Sequence, residues 1–346
     1  MARAFLIVLD SAGCGGAPDA HLFFNGALSD AGANTLGHIA VACHEGRAEE
    51  GRGGPIQLPT LMSLGLAQSI ELASGLTVPG GELSPTGLWG AATEVSMGKD
   101  TPTGHWELSG VPVPWDWHYF PDTTPAFPQE VTQALCEAAG TQGILGNCHA
   151  SGTAIIDMLG GEHLRTGWPI CYTSVDSVLQ SAAHEEHFGR ERLLKRCADV
   201  APMLHEMRVG RVIARPFTGT ADSGFTRTVN RKDFAIAPPA PTLCDWVQQA
   251  GRRVIGIGKI GDIFSMRGID EVKKGRDADL MNALVNSVEN APDGSLTFAN
   301  LVEFDSQYGH RRDVSGYAAH LEWFDARLVR LLDNLRAGEL LVITAE

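Results

Sequence analysis

Thr101 stands in the segment Ser96 to Glu107, where its hydroxyl follows Asp100 and precedes Pro102, Gly104 and a His105-Trp106-Glu107 cluster. A threonine hydroxyl is a poor nucleophile until a base or a metal ion takes its proton. The segment therefore directs attention to metal ligands elsewhere in the chain. Asp10 follows an apolar run, Phe5 to Leu9, and precedes a glycine-rich turn, Ser11 to Gly16. Taken alone it is equally a turn-forming Asp that caps the next helix. Asp305 and His310 lie five apart on one short stretch; taken alone they read as a loop hydrogen bond. Taken with Asp10 and Thr101, they make a set of oxygen and nitrogen donors suited to Mn²⁺ or Zn²⁺. Two cations about 4 Å apart would polarise the hydroxyl and clamp a transferring phosphoryl group.

Other polar groups read differently. Arg211 and Arg215 flank an apolar strand, Arg211 to Phe217. An isolated Arg there could be paired and structural. Two of them together with Lys259 would make a fork and a point charge for a sugar phosphate. His184 to His187 looks metal-like but lacks the HExxH spacing, and is predicted to be a solvated face. Gly13 to Gly16 is no Walker A loop, because no Gly-Lys-Ser/Thr follows.

The elements that must position these groups follow a repeated grammar. Phe5 to Leu9 is a buried parallel strand ending at Asp10. Arg253 to Gly258 runs into Lys259, Ser295 to Phe304 into Asp305, and Glu339 onward ends at Glu346. Amphipathic helices lie between them, for example Leu321 to Leu335. This is an α/β sheet with functional groups at the carboxyl ends of its strands. The middle of the chain has Pro-rich joints, helical pieces (Pro128 to Ala139, Glu191 to Met207) and short strands (Ile170 to Thr173, Arg211 to Ala214). Ala237 to Pro241 is a stiff connector back into the sheet. The expected division is residues 1–116 with 237–346 as a core, and 117–236 as an inserted second domain.

Length and composition bound the rest. A chain of 346 residues exceeds the usual single core. A formal net charge of -14 argues against a general nucleic-acid or membrane-surface binder. Seven cysteines without CxxC spacing read as reduced thiols in a cytoplasmic protein. No apolar run reaches membrane-spanning length.

The stretches Val8 to Gly13, Ala33 to Ala40, Gly98 to Glu107, Tyr172 to Val178, Gly210 to Phe217, Asn230 to Asp233 and Phe304 to Asp313 resemble, in order, the phosphopentomutase family of the alkaline phosphatase superfamily. The resemblance runs from Ala4 to the last residue. It implies an alkaline-phosphatase-like, mostly parallel core with an inserted, smaller α+β cap. It implies interconversion of ribose 1-phosphate and ribose 5-phosphate, and of the deoxyribose pair, in nucleoside salvage, through a phosphothreonine and a pentose 1,5-bisphosphate activator. It implies two Mn²⁺ ions. By the resemblance Thr101 is the phosphoryl carrier, with Asp10 and Thr101 on one metal and Asp305 and His310 on the other. Ser174, Asp176, Val178, Arg211, Ile213 and Lys259 match the positions that hold the sugar phosphate. The implied partners are small pentose phosphates, with neither nucleic acid nor membrane.

The chain departs from the family at Thr344 to Glu346. The family has an Asp-His-Gly motif here, then a further His, as metal ligands. Glu346 stands where Asp is expected and becomes a third candidate for the first ion. The expectation that follows is a chain cut short, with weak metal affinity and little mutase activity. The competing readings are another phosphatase or phosphomutase of the same superfamily, and a non-catalytic remnant that still binds a sugar phosphate.

Overall fold

The computed structural model describes residues 1–25 and 28–346. Its strands are, in chain order, β1 (Ala4–Leu9), the short β2 (Phe24–Asn25) and β3 (Leu28–Ser29), β4 (Leu145–His149), β5 (Ile170–Thr173), β6 (Val178–His184), β7 (Arg211–Thr220), β8 (Gly224–Arg227), β9 (Lys232–Ala235), β10 (Val254–Ile257), β11 (Glu271–Lys273), β12 (Leu296–Leu301) and β13 (Leu340–Ala345). They form a five-stranded sheet in the order β11-β10-β12-β1-β13, and a six-stranded sheet in the order β4-β5-β6-β7-β8 with β9 also on β7. All pairs of the first sheet are parallel. The second is mixed, with β4 parallel to β5 and β6 parallel to β7.

The parallel sheet is covered on both faces over β10, β12 and β1, as strands joined by crossovers must be, while β13 at its edge leaves Leu340 and Val342 exposed. Alternation along β1 divides the two cores. Phe5, Ile7 and Leu9 pack under helices that include Thr35–His44, Asp277–Asn290 and Val314–Asp333. Val8 points the other way, into a layer with Trp106, Trp117, Ile260, Phe264 and Phe298. The six-stranded sheet has two faces of its own. Helices Gln129–Ala139 and Arg190–Glu206 cover one, through Val131, Leu135, Leu193 and Leu204. Helix Gly152–Thr166 covers the other, through Ile155 and Ile156. Among the described residues, no helix is long and apolar enough to cross a membrane.

Three expectations need correction. The strand expected from Ser295 to Phe304 stops at Leu301, and Asp305 instead opens a wide helical turn, Phe304–Gly309. The cause is Asp277, whose carboxylate accepts the Val302 and Glu303 amides at 3.0 and 3.2 Å and ends the ladder. The helix expected from Leu321 begins earlier, at Val314, where the Asp313 side chain caps it. His184 is not solvated: it is buried at the end of β6, and its ring accepts the Glu186 and His187 amides.

Candidate active site

The register of the parallel sheet builds the site. Leu9 lies opposite Leu301 on one side and Ala345 on the other. Asp10 and Glu346, each one residue further on, are therefore neighbours at the carboxyl edge. Asp10, His105 and Glu346 each bring a ligand atom within 4.8 Å of the others. His105 comes from the helix Thr101–Leu108. It is fully buried, with Nδ1 3.0 Å from the Thr101 carbonyl and 3.4 Å from Glu346 Oε2. Its Nε2 has no hydrogen-bond partner. Gly104 allows this approach, since a Cβ there would lie 2.8 Å from that of Glu346.

Asn300 orders the edge from β12. Its Nδ2 donates to both Asp10 oxygens at 3.2 and 3.3 Å, and its Oδ1 accepts the Lys259 amide at 2.7 Å. Gly258 has a φ of +86°, and a Cβ there would strike the Asn300 carbonyl oxygen at 2.3 Å. Only glycine permits that contact.

The electrostatics are those of a site that lacks positive charge. Burial, and after it Glu346, push the Asp10 carboxyl up to about 7 against the pull of His105, Lys259 and Asn300. Burial lowers the His105 imidazole, but the carboxylates of Glu346 and Asp10 outweigh it and the net direction is upward. Burial also pulls the Lys259 ammonium down, against Asp10. Two facing carboxylates and an imidazole fit a divalent cation that accepts both oxygen and nitrogen donors. A cation between them would remove the repulsion that raises Asp10.

Asp305 and His310 meet each other, with Nε2 to Oδ2 at 3.1 Å, and this hydrogen bond raises the imidazole. Among the described residues no third ligand-type side chain converges on them as tightly as the Asp10 group. The pair lies beside the same edge: a Cβ on Gly309 would sit 3.1 Å from Ser11 Oγ and 3.2 Å from Asp305 Oδ1. A second three-member group, Asp277, Glu303 and His320, is explained without an ion. Asp277 accepts two amides and the His320 Nε2, the last at 2.9 Å, so its lone pairs are engaged.

Thr101 is the first residue of its helix rather than part of a loop. Its half-buried side chain opens on a cavity of about 230 Å³ shared with Arg211, Arg231, Lys259 and Lys274. Thr103 is distinguished from it by its partner, because its Oγ1 accepts the Trp117 Nε1 at 2.7 Å inside the aromatic layer. Of the expected sugar-phosphate residues, Arg211 and Lys259 line the cavity. Asp176 pairs with Arg211 at 3.3 Å, and Ser174 lies within 3.5 Å of Gln180 Nε2. Val178 and Ile213 are 1% and 2% exposed, and their backbones are engaged by the Asp176 carbonyl and Thr173 hydroxyl and by the β6 and β9 ladders, so neither is open to a ligand here. Arg215 lies outside the cavity lining and donates to Gln180 Oε1 at 2.9 Å. His105, Asn300 and Arg231 are the residues that sequence reasoning did not place in the site.

A model of the metalloenzyme superfamily matches residues 2–346. A phosphopentomutase of Chelativorans sp. (strain BNC1) is 56% identical over all of this chain and 84% of its own length. Phosphopentomutases of Methylorubrum extorquens and Rhizobium leguminosarum bv. trifolii are 55% and 54% identical, each over all of this chain and 85% of the relative.

Proposed function

The chain belongs to the phosphopentomutase family within the metalloenzyme superfamily, and from that premise we propose that it moves a phosphoryl group between the C1 and C5 oxygens of ribose and deoxyribose phosphates, with Thr101 as carrier. The observation that carries this reading is the placement of Thr101. Its hydroxyl opens one helical turn from His105, on a cavity walled by Arg211, Arg231 and Lys259.

In the proposed reaction, phosphorylated Thr101 meets a pentose monophosphate. The free sugar hydroxyl attacks phosphorus and loses its proton as the new O–P bond forms. The bond from phosphorus to Thr101 Oγ breaks, and Oγ keeps the electron pair. The bisphosphate reorients, Oγ attacks its other phosphorus, the bond from that phosphorus to the sugar oxygen breaks, and the freed oxygen takes up the equivalent of the proton lost in the first step. Arg211 and Lys259 hold the non-reacting phosphate, the Arg by a planar fork and the Lys as a point charge. Asp10, His105 and Glu346 would hold one divalent cation, Mn²⁺ on this reading, and Asp305 with His310 a second. Such ions supply Lewis acidity at the threonine oxygen and neutralise phosphoryl charge. Residues 117–236, which contain β4 to β9, act as a cap that keeps water from phosphorylated Thr101.

The test is to incubate the chain with Mn²⁺, ribose 1-phosphate and a trace of ribose 1,5-bisphosphate. Ribose 5-phosphate should form, and peptide mass spectrometry should find one phosphoryl group on Thr101. Thr101→Ala should show neither, while Thr103→Val should still be labelled. Turnover by Thr101→Ala, or label on another residue, would overturn the assignment.

A further inference from the structure

Asp100 holds a position where an aspartate usually folds back onto its own helix. At the residue before a helix start, a carboxylate ordinarily accepts the amides two and three residues on. Here Pro102 has no amide hydrogen, and the Thr103 amide is taken by the Asp100 carbonyl at 2.8 Å. The carboxylate makes no cap hydrogen bond. It reaches instead into the six-stranded sheet, where Oδ2 accepts the Ser177 amide at 3.0 Å.

Ser177 is the knot of the junction between the two sheets. Fully buried, it donates its hydroxyl to the His118 carbonyl at 2.7 Å and accepts the Gly210 amide at 3.0 Å. The chain's outward and return crossings are tied to the same place. The His118 amide meets the Arg208 carbonyl, and the Ile236 amide meets the Gly210 carbonyl, both at 3.0 Å. Both crossings of the chain therefore pass beside Ser177, which places a pivot for β4 to β9 at this knot. Asp100, the neighbour of Thr101, is a side chain of the parallel-sheet region that holds it.

The second oxygen is left open. Asp100 is 3% exposed, yet Oδ1 makes no well-formed hydrogen bond, with the Tyr119 hydroxyl near the carboxylate as a neutral neighbour. The nearest cation is Arg211 Nη2 at 3.7 Å, beyond hydrogen-bond reach. Arg211 Nε is also buried without a partner, while its Nη2 is held by Asp176 at 3.3 Å. An unpaired carboxylate oxygen, 3.7 Å from Nη2 of a guanidinium whose Nε is also unpaired, defines a contact that a small rotation completes.

We propose that Asp100 is a positioning residue that latches the helix of Thr101 to the pivot of the capping sheet, and that its open oxygen takes Arg211 when the cap closes on a phosphosugar. Closure is then registered beside the phosphoryl carrier, so that Arg211 and Thr101 come into alignment together. The inference rests on the function proposed above only for its second readout.

Hydrogen exchange of peptides covering residues 172–180 tests the latch without any turnover. Asp100→Ala should speed exchange at Ser177 by roughly fivefold, the effect of one lost hydrogen bond. Asp100→Asn keeps an acceptor for Ser177 and should leave that exchange near the unmodified value. The second readout is the partition of phosphorylated Thr101 between ribose 5-phosphate and water. Asn cannot hold Arg211 by charge, so Asp100→Asn should shift the partition several-fold toward water with Thr101 still labelled. Unchanged Ser177 exchange in Asp100→Ala, or an unmodified partition in Asp100→Asn, would overturn the inference. Absence of label from every form, the unmodified chain included, would overturn the proposed function, and the Ser177 exchange would still decide the latch.

Discussion

The two sheets offer their functional groups from opposite ends. In the parallel sheet, Asp10, Lys259 and Glu346 follow the carboxyl ends of β1, β10 and β13; Asp10 is buried, Lys259 and Glu346 are half-buried, and Asn300 ties Asp10 to the Lys259 amide. In the mixed sheet, Asp176 precedes β6 and Arg211 begins β7, on loops and strand starts that remain partly open. The first arrangement suits groups that must be held to a fraction of an ångström. The second suits charges that must reach a ligand and release it. On the proposed function the parallel sheet carries the reacting atoms, and the grip on the sugar phosphate is shared between Arg211 of the mixed sheet and Lys259 of the parallel one.

Two substitutions sharpen the contrast. The larger effect should come from Asn300→Leu, which strips Asp10 of the Nδ2 donor shared by its two oxygens and frees the Lys259 amide. Loss of such an outer partner of a metal ligand costs about 10–100-fold in metal affinity. Titration of Mn²⁺ against the variant should show that weakening, with ribose 5-phosphate binding, half of whose grip is Arg211 in the mixed sheet, changed less. Equal loss of both affinities would break the division between the sheets. Arg211→Lys should do the reverse. It replaces a fork by a point charge and loses about one charge-assisted hydrogen bond, roughly 1.5 kcal/mol or tenfold in KM. Steady-state kinetics should find kcat less affected than KM, because the lost contact is made in ground and transition state alike.

How far these roles can be read from the sequence depends on whether the signal is local. Asp10 and Lys259 are legible because an apolar run ended by a polar residue is the mark of a buried parallel strand. The return to the parallel sheet announces itself through Pro238, Pro239 and Pro241. His105 gives no such signal, since a histidine inside Thr101–Leu108 reads as one more core side chain. Its meaning comes from Glu346, which reaches it only through the pairing of β1 with β13. Asn300 looks like strand interior for the same reason: its partner Asp10 is 290 residues away. The end of β12 is hidden because Leu301, Val302 and Phe304 continue the apolar run, while the group that stops the ladder, Asp277, lies on another helix. His184 reads as solvated because its neighbours are charged, and nothing local reveals that both faces of β6 are covered.

The smallest expected effect is also the one that separates the sheets most directly, because their buried titratable groups respond to pH with opposite sign. In the mixed sheet, burial lowers the imidazole of His163, which faces His187 and His184 and bonds the Trp168 carbonyl at 2.7 Å. Burial likewise lowers His205, which bonds the Phe234 carbonyl. The folded state holds both rings neutral, whereas the unfolded chain binds protons below the ordinary histidine value of about 6.5. Their stabilising contribution is present above that pH and is lost as pH falls through the lowered folded values. In the parallel sheet Asp10 is raised to about 7. Its contribution is present below the ordinary carboxylate range and is lost as pH rises through about 7. Hydrogen exchange without added metal, corrected for intrinsic rates, should therefore show β5 to β7 opening more readily at pH 5.5 than at 7.5. β1 and β12 should change little or in the other direction. His163→Gln keeps a donor for the Trp168 carbonyl and an acceptor for the His184 amide but cannot titrate, so it should remove part of the acid sensitivity of the mixed sheet. If both sheets loosened together at low pH, and His163→Gln left that unchanged, the two would be one cooperative unit whose acid response lies elsewhere than in these histidines.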